Sequence, residues 1–303
     1  MERTLSLLDA VPYLRAYAGQ RFVVKLGGEL LQERTHRDRV ARDLAVLHRL
    51  NIGVVIVHGG GPQLDAMTAR LGLPVERVAG RRITSEEVLE AAKMVFRGQI
   101  SLDLVSALIA QGERAVGLSG VDGGLVTADR RPEALVTADD GSRVAVDYGE
   151  VGDIASVDPT LLLAVLAAGG LPVISPLAAD AAGRIFNVNA DTVAARVAVA
   201  IGAAKLILLT RAPGLLRDVN DPASLIHWTD LEELDTLVKD RVLQGGMRPK
   251  AAAIRTALEG GVPRVHVVDG RRDGALLEEI FTTEGCGTLV VATAETTPAE
   301  PLH

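Results

Sequence analysis

The sequence predicts an α/β fold in which parallel strands are joined by crossover helices, on three observations. Along 303 residues, short β-branched runs alternate with longer Ala- and Leu-rich segments of helical period. Most of the runs are continuously apolar, as strands covered on both faces must be. Two glycine-rich turns follow such runs directly, at the carboxyl ends where parallel sheets bind ligands.

An amphipathic helix comes first: Leu5, Leu8, Val11 and Leu14 recur at a spacing of three, Pro12 is expected to kink it, and Gly19 ends it before the first strand. It precedes any crossover, so its apolar stripe covers either its own subunit or a second one. Strands are predicted at 22–26, 53–57, 115–118, 171–175, 206–209 and 264–268, and helices at 37–51, 62–72, 85–111, 158–169, 190–203, 230–239, 247–260 and 273–281. The third helix has a capping signal in Thr84-Ser85-Glu86-Glu87. Thr127, Thr137, Val144 and Val146 lie among Asp, Arg and Gly, so segment 124–150 reads as antiparallel hairpins inserted between two α/β portions. The Thr-, Glu- and Pro-containing tail after about Ala292 reads as disordered. One continuous sheet with two lobes meeting near 175–185 is expected.

Composition excludes several classes. With 48% hydrophobic and 23% charged residues, the chain is not disordered over most of its length. The net charge of −7 argues against a basic surface for nucleic acid or anionic lipid, and four Phe, three Tyr and one Trp leave few platforms for base stacking. Cys286, the sole cysteine, excludes an internal disulfide and a cysteine-based zinc site, and suits a reducing compartment. No apolar run reaches the ~18 residues of a membrane span and no signal peptide precedes the first strand, so a cytoplasmic protein without membrane or nucleic-acid partners is expected.

The chemistry is expected at the glycine turns, Lys25-Leu26-Gly27-Gly28 and His58-Gly59-Gly60-Gly61-Pro62. Without a Cβ in the way, their backbone N–H groups can close on an anion, although each turn alone could be an ordinary tight turn. Neither matches a P-loop or a dinucleotide fingerprint. Lys25 stands in an apolar strand, where an ammonium needs an anionic partner or a path to solvent. Lys250 closes Gly245-Gly246-Met247-Arg248-Pro249-Lys250 and opens an Ala-rich helix. Two lysines flanking one phosphoryl group would neutralise charge during its transfer, as in a kinase. Asn187, Asn189 and Asp191 alternate just before a helix, either as an N-cap cluster or with Asn187 holding an acyl substrate and Asp191 orienting the lysines or magnesium. Arg82, near Thr84, is either an exposed arginine or a two-pronged clamp for a carboxylate. His58 and His266 have no spaced ligand company, and no protein-bound metal site is expected.

Taken in order, KLGG at 25–28, HGGGPQLD at 58–65, GRRIT at 80–84, GLSGVDG at 117–123, NVNAD at 187–191, LILLT at 206–210, GGMRPK at 245–250 and EGCGT at 284–288 resemble the N-acetylglutamate kinases of the amino acid kinase family. The resemblance runs from about residue 5 to 292. It implies a three-layer αβα sandwich with an open, mainly parallel eight-stranded sheet. It also implies an N-lobe at 20–178 for N-acetyl-L-glutamate and dimerisation, and a C-lobe at 179–292 for ATP, flanked by the helix at 1–18 and the tail at 293–303. Magnesium would accompany ATP, and the product would be an acyl phosphate of arginine biosynthesis. By motif position, Lys25, Lys250 and Asp191 would be catalytic. Gly60, Gly61, Arg82 and Asn187 would bind substrate, and Gly27, Gly28, Thr210, Gly214, Gly246 and Met247 would lie along the nucleotide phosphates.

The segment from Leu8 to Arg15 resembles the extra helix of arginine-inhibited, hexameric members, assembled as trimers of dimers. The resemblance implies Tyr13, Lys205, His266, Glu284 and Gly287 as an effector site for arginine. Two positions depart from the pattern: Arg211 replaces a frequent Asp after LILLT, and Val121 replaces a frequent Lys in the GLSG turn. The competing readings are an aminoadipate kinase acting on a carrier-bound substrate, which Ala212-Pro213-Gly214 mildly favours, and a catalytically idle arginine-sensing regulator.

Overall fold

Strand β1, Arg21–Leu26, carries six residues of which five are buried, and it lies in the middle of the sheet rather than at an edge. The computed structural model describes residues 7–78, 81–137 and 142–293. The central sheet contains β1, β2 (Gly53–His58), β3 (Ala115–Ser119), β4 (Leu171–Ser175), β5 (Lys205–Thr210), β6 (Trp228–Asp230), β7 (Arg264–Asp269) and β8 (Thr288–Val291). Their spatial order is β6-β8-β7-β5-β1-β2-β4-β3. The six strands from β7 to β3 are parallel; β8 runs antiparallel to β7, and β6 follows β8.

The helices are α1 (Leu7–Tyr17), α2 (Arg34–Arg49), α3 (Gly61–Arg70), α4 (Glu86–Lys93), α5 (Ser101–Ala110), α6 (Thr160–Ala167), α7 (Ala190–Ala200), α8 (Leu231–Lys239), α9 (Met247–Glu259) and α10 (Ala275–Phe281). Side chains alternate across a strand, so Phe22, Val24 and Leu26 of β1 enter one core with α1 to α5 and α10, whereas Val23 enters the other with α6 to α9. The same alternation turns Lys25 toward α7 and α9, and turns His58, in phase with Val54 and Ile56, toward the opposite layer.

Four local differences from the sequence reading have physical causes. The expected helix over 85–111 starts as predicted, with Ser85 Oγ accepting from Val88 N–H, but a π-helical stretch at Met94–Ile100 separates α4 from α5. Gly98 lies inside that stretch, where helix propensity is lowest among non-proline residues. In segment 124–150, only Ala134–Thr137 and Arg143–Val146 form a local hairpin. Val126–Arg130 instead pairs with Gly152–Val157 in a four-stranded sheet that also holds Leu177–Ala179 and Ile185–Asn187. The short β6 and β8 were not predicted. Finally, α1 runs on through Pro12 and docks on its own chain, with Tyr17 buried edge-on against the Phe22 ring. Leu5 and the tail from residue 294 lie outside the described residues.

Candidate active site

The strand ends of β1 and β2 place the two glycine turns side by side: Leu26 pairs with His58, and Gly59 N–H donates to the Leu26 carbonyl at 2.8 Å. The approach is close enough that a Cβ on Gly28 would lie 2.8 Å from Gly60 Cα, and one on Gly60 would strike Phe96 and Ile100 of the π-helical stretch at 2.6 Å. Glycine is therefore required at both positions by packing. Gly60 and Gly61 open α3, with Pro62 in its first turn, so the unpaired N–H groups of a helix start face this junction.

At the rim of β1, Lys25 Nζ lies 2.8 Å from Asp191 Oδ1, and Lys250 Nζ from α9 lies 3.2 Å from Asp191 Oδ2. All three side chains are nearly buried, with 7%, 13% and 9% of the Lys25, Lys250 and Asp191 surfaces exposed. Burial pushes the Asp191 carboxyl up, but the two ammonium groups together outweigh it and hold the group below the usual carboxylate value. For Lys250, burial and then the Lys25 charge push the pKa down, opposed by Asp191 and Glu29. Asn189, not Asp191, caps α7, its side chain accepting from Thr192 N–H at 3.0 Å. The two sequence readings of NVNAD thus fall to different residues, which leaves Asp191 to the lysines.

On the β2 side, Arg82 pairs with Asp65 of α3, and its Nη2 lies 3.4 Å from the Gly61 carbonyl. Its side chain is 8% exposed, and the Nη1 end is buried without a protein partner. Burial lowers its pKa, with Asp65 opposing. Asn187 Nδ2 donates to Thr84 Oγ1 at 3.2 Å. An unmatched guanidinium edge beside a helix start can donate to a carboxylate.

The sequence profile of the amino acid kinase family matches residues 20–269. The chain belongs to the amino acid kinase family. It is 48% identical over 297 residues to an acetylglutamate kinase of Myxococcus xanthus, covering 97% of this chain and 96% of that one. An acetylglutamate kinase of Thermosynechococcus vestitus is 40% identical, with 96% and 94% covered. Among solved structures, N-acetylglutamate synthase from Neisseria gonorrhoeae, complexed with coenzyme A and N-acetyl-glutamate, superposes with a TM-score of 0.80 at 30% identity. That match covers 95% of this chain, which spans 64% of the synthase chain. Giardia carbamate kinase shares the fold, with a TM-score of 0.63 at 15% identity, 91% of this chain and 100% of the other being covered.

In this amino acid kinase, the remaining nucleotide candidates are spread around the β1 and β5 ends. Gly27 N–H donates to the Leu209 carbonyl at 3.0 Å, and Thr210 Oγ1 accepts from Ala212 N–H at 2.7 Å. Gly246 precedes α9 and Met247 starts it. Gly214 has a packing cause of its own, because a Cβ there would lie 2.5 Å from Thr288 Oγ1. Of the two departures, Val121 packs against the core and Arg211 is exposed.

Far from this centre, Tyr13, Lys205, His266 and Glu284 line one cavity of about 210 Å³ together with Tyr17 and Glu279. Lys205 Nζ lies 2.9 Å from His266 Nε2 and 4.9 Å from the centre of the Tyr17 ring. His266 Nδ1 lies 2.7 Å from Glu279 Oε1, while Glu279 Oε2 accepts from Cys286 N–H and Gly287 N–H. Burial lowers the Lys205 pKa to about 7 and that of His266 to about 4. Gly287 is therefore a backbone anchor and does not line the cavity. Sequence reasoning assigned no role to Asp65 or Glu279; the single cue for Glu279 is an acidic residue on the buried side of a short helix.

Proposed function

We propose that the protein transfers the γ-phosphoryl group of ATP to the side-chain carboxylate of N-acetyl-L-glutamate, giving N-acetyl-L-glutamyl 5-phosphate in arginine biosynthesis, in the cytoplasm. The observation that carries this reading is the buried Asp191 holding Lys25 and Lys250 beside paired glycine turns, with the free edge of Arg82 at the second turn. The acyl substrate would lie on the 20–178 lobe, its carboxylate on Arg82 and the Gly60-Gly61 N–H groups, with Asn187 toward the acetyl group. ATP would lie on the 179–292 lobe, its phosphates reaching Gly27, Gly28 and the start of α9.

The acceptor is already a carboxylate, so its oxygen attacks phosphorus in line, the bond to the bridging oxygen breaks and ADP leaves without any proton transfer. Asp191 is ionised and occupied by two ammonium groups, which makes it an organiser of the lysines and not a base. Lys25 and Lys250 stabilise the charge that spreads over the transferring oxygens. Among the described residues no cluster of three or more His, Cys, Asp or Glu side chains forms a cage for a metal. Magnesium would thus be held mainly by the nucleotide's own phosphates, with Glu29 the carboxylate at the first turn, and would neutralise phosphate charge.

Arginine is the proposed inhibitor and the cavity lined by Tyr13, Lys205, His266 and Glu284 its proposed site, since it offers both acidic and basic groups to an amino acid. A homo-oligomer fits the exposed apolar side chains Met94, Leu102 and Ile109 beside Val116 on the open edge strand β3, a face suited to a second copy. With α1 as the second contact, the proposed assembly is a hexamer built as a trimer of dimers.

The test is an acyl-phosphate trap with Mg-ATP and hydroxylamine, comparing N-acetyl-L-glutamate, glutamate and N-acetyl-aminoadipate with and without arginine. Hydroxamate from acetylglutamate alone, suppressed by arginine, is the expected result; none from any substrate overturns the reaction. Deleting residues 1–18 should lower the mass seen by light scattering and relieve arginine inhibition while transfer persists. An unchanged mass refutes the role of α1 in assembly.

A further inference from the structure

The glycine turn after β1 must present N–H groups, not carbonyl oxygens, to the phosphates, yet glycine is the residue whose flanking peptides rotate most freely. Gly28 opens a single 3-10 turn, Gly28–Leu31, and a rotation of the Gly28-Glu29 peptide out of that turn would aim its carbonyl dipole at the anion. One side chain bears on this: Gln63, in the first turn of α3, donates from Nε2 to the Gly28 carbonyl at 2.7 Å. Its Oε1 sits 3.0 Å from where a Cβ on Gly28 would be, so the amide lies directly against the turn.

The orientation of that amide has its own support. Gln63, Arg37 and Asp103 line a cavity of about 60 Å³ behind the turn together with Gln32 and Gln99, and the buried Gln63 Oε1 and Arg37 Nε have no hydrogen-bond partner in the protein. Arg37 is itself fixed by Asp103, 2.7 Å from Nη1. The acceptor end of Gln63 therefore shares a small polar space with a guanidinium donor, and the donor end meets the Gly28 carbonyl. Reversing the amide would set oxygen against oxygen at Gly28 and N–H toward a cation.

We propose that Gln63 is a positioning residue that locks the Gly28 peptide with its carbonyl turned away from the phosphates, coupling the acyl-substrate helix α3 to the nucleotide turn. The proposal rests on the phosphotransferase reading above. It assigns Gln63 no contact with either substrate: it acts through the backbone of the first turn. Removing it leaves every direct ligand contact in place but lets the turn sample an orientation hostile to phosphate.

The experiment compares the wild type with Gln63→Met, which keeps length but cannot donate, and Gln63→Glu, which can donate only when protonated. Gln63→Met should lower kcat/KM for Mg-ATP about tenfold or more while KM for N-acetyl-L-glutamate stays within about twofold. Gln63→Glu should be equally impaired at pH 8, and its activity relative to wild type at the same pH should recover severalfold toward pH 5.5. Gln63→Met should show no such recovery. Wild-type constants in Gln63→Met, or a pH-independent ratio for Gln63→Glu, overturn the lock. If Gln63→Met does not fold, the Gln63→Glu profile decides. A wild type that forms no hydroxamate refutes the phosphotransferase reading instead, so the two failures are distinct.

Discussion

Replacing Asp191 with Asn keeps the shape of the site and removes only its negative charge. Lys25 and Lys250, 7% and 13% exposed, would then face each other with no anion between them. Breaking a buried ion pair by removing one partner costs about 3–5 kcal/mol, and for a chain of this size that is a fall in Tm on the order of 5–15 °C. The pH dependence has a definite sign. Burial and the Lys25 charge already lower the Lys250 pKa, with Asp191 opposing. Without Asp191 the folded-state pKa falls further below the unfolded value, so the folded state binds fewer protons and stability rises as pH increases toward that unfolded value. Asp191→Asn should therefore be least stable relative to wild type near neutral pH and regain ground in alkali. Adding ADP without acyl substrate, which returns phosphate charge to the lysines, should raise the variant's Tm by more than the wild type's. The assay is differential scanning calorimetry from pH 6 to 10, with kcat falling at least 100-fold in parallel. A Tm within 1–2 °C of wild type and a parallel pH profile would refute the claim that Asp191 neutralises both lysines.

Lys250→Ala should lower kcat by about 100- to 1000-fold with little change in KM for the acyl substrate, because its interaction grows as charge spreads in transfer. Steady-state kinetics with unaltered kcat would remove it from the mechanism. Arg82→Lys should raise KM for N-acetyl-L-glutamate about tenfold, since an ammonium cannot use both the Asp65 and the free Nη1 directions; an unchanged KM would sever Arg82 from substrate. His58 and His266 are fully enclosed and burial lowers each pKa from 6.5 to about 4. The unfolded chain takes up those protons first, so stability is complete above pH 6.5 and falls as pH drops toward 4, by about 3 kcal/mol per histidine. Chemical denaturation across that window should show a shallower slope for His58→Gln, and parallel slopes would discount His58.

Six of the eight central strands were legible because continuous apolar runs in a 6-residue strand such as Lys205–Thr210 have no other stable use in so short a segment. The two missed strands are β6, whose three residues mix Trp with Thr and Asp, and β8. As the edge strand, β6 needs fewer apolar residues and its signal fades; β8 is paired on both sides, but it is only four residues long and its short apolar run Leu289-Val290-Val291 abuts the Thr-, Glu- and Pro-containing tail. Lys25 was legible as a charge inside an apolar run, and Lys250 as a lysine at a glycine-opened helix. What the chain could not reveal by itself was pairing across space. Arg82 becomes informative only once Asp65 occupies one end of its guanidinium, and Gln63 only once Gly28 is known to lie against Gly60. Glu279 on α10 meets His266 on the preceding strand β7, 13 residues away, through a contact that no spacing rule encodes.

The position of β1 between β2 and β5 has a consequence for biosynthesis. A ribosome releases β2 soon after β1, but the other neighbour, Lys205–Thr210, emerges roughly 150 residues later, about 7–30 s at ordinary elongation rates. Throughout that interval the future centre of the sheet is an open edge of unpaired N–H and C=O groups flanked by apolar side chains. Asp191 arrives only slightly earlier than β5, so Lys25 also waits uncompensated. Nascent chains paused before residue 205 should thus be the aggregation-prone species of this protein, and a holdase that covers the β1 edge should raise the yield of soluble enzyme without altering its final stability.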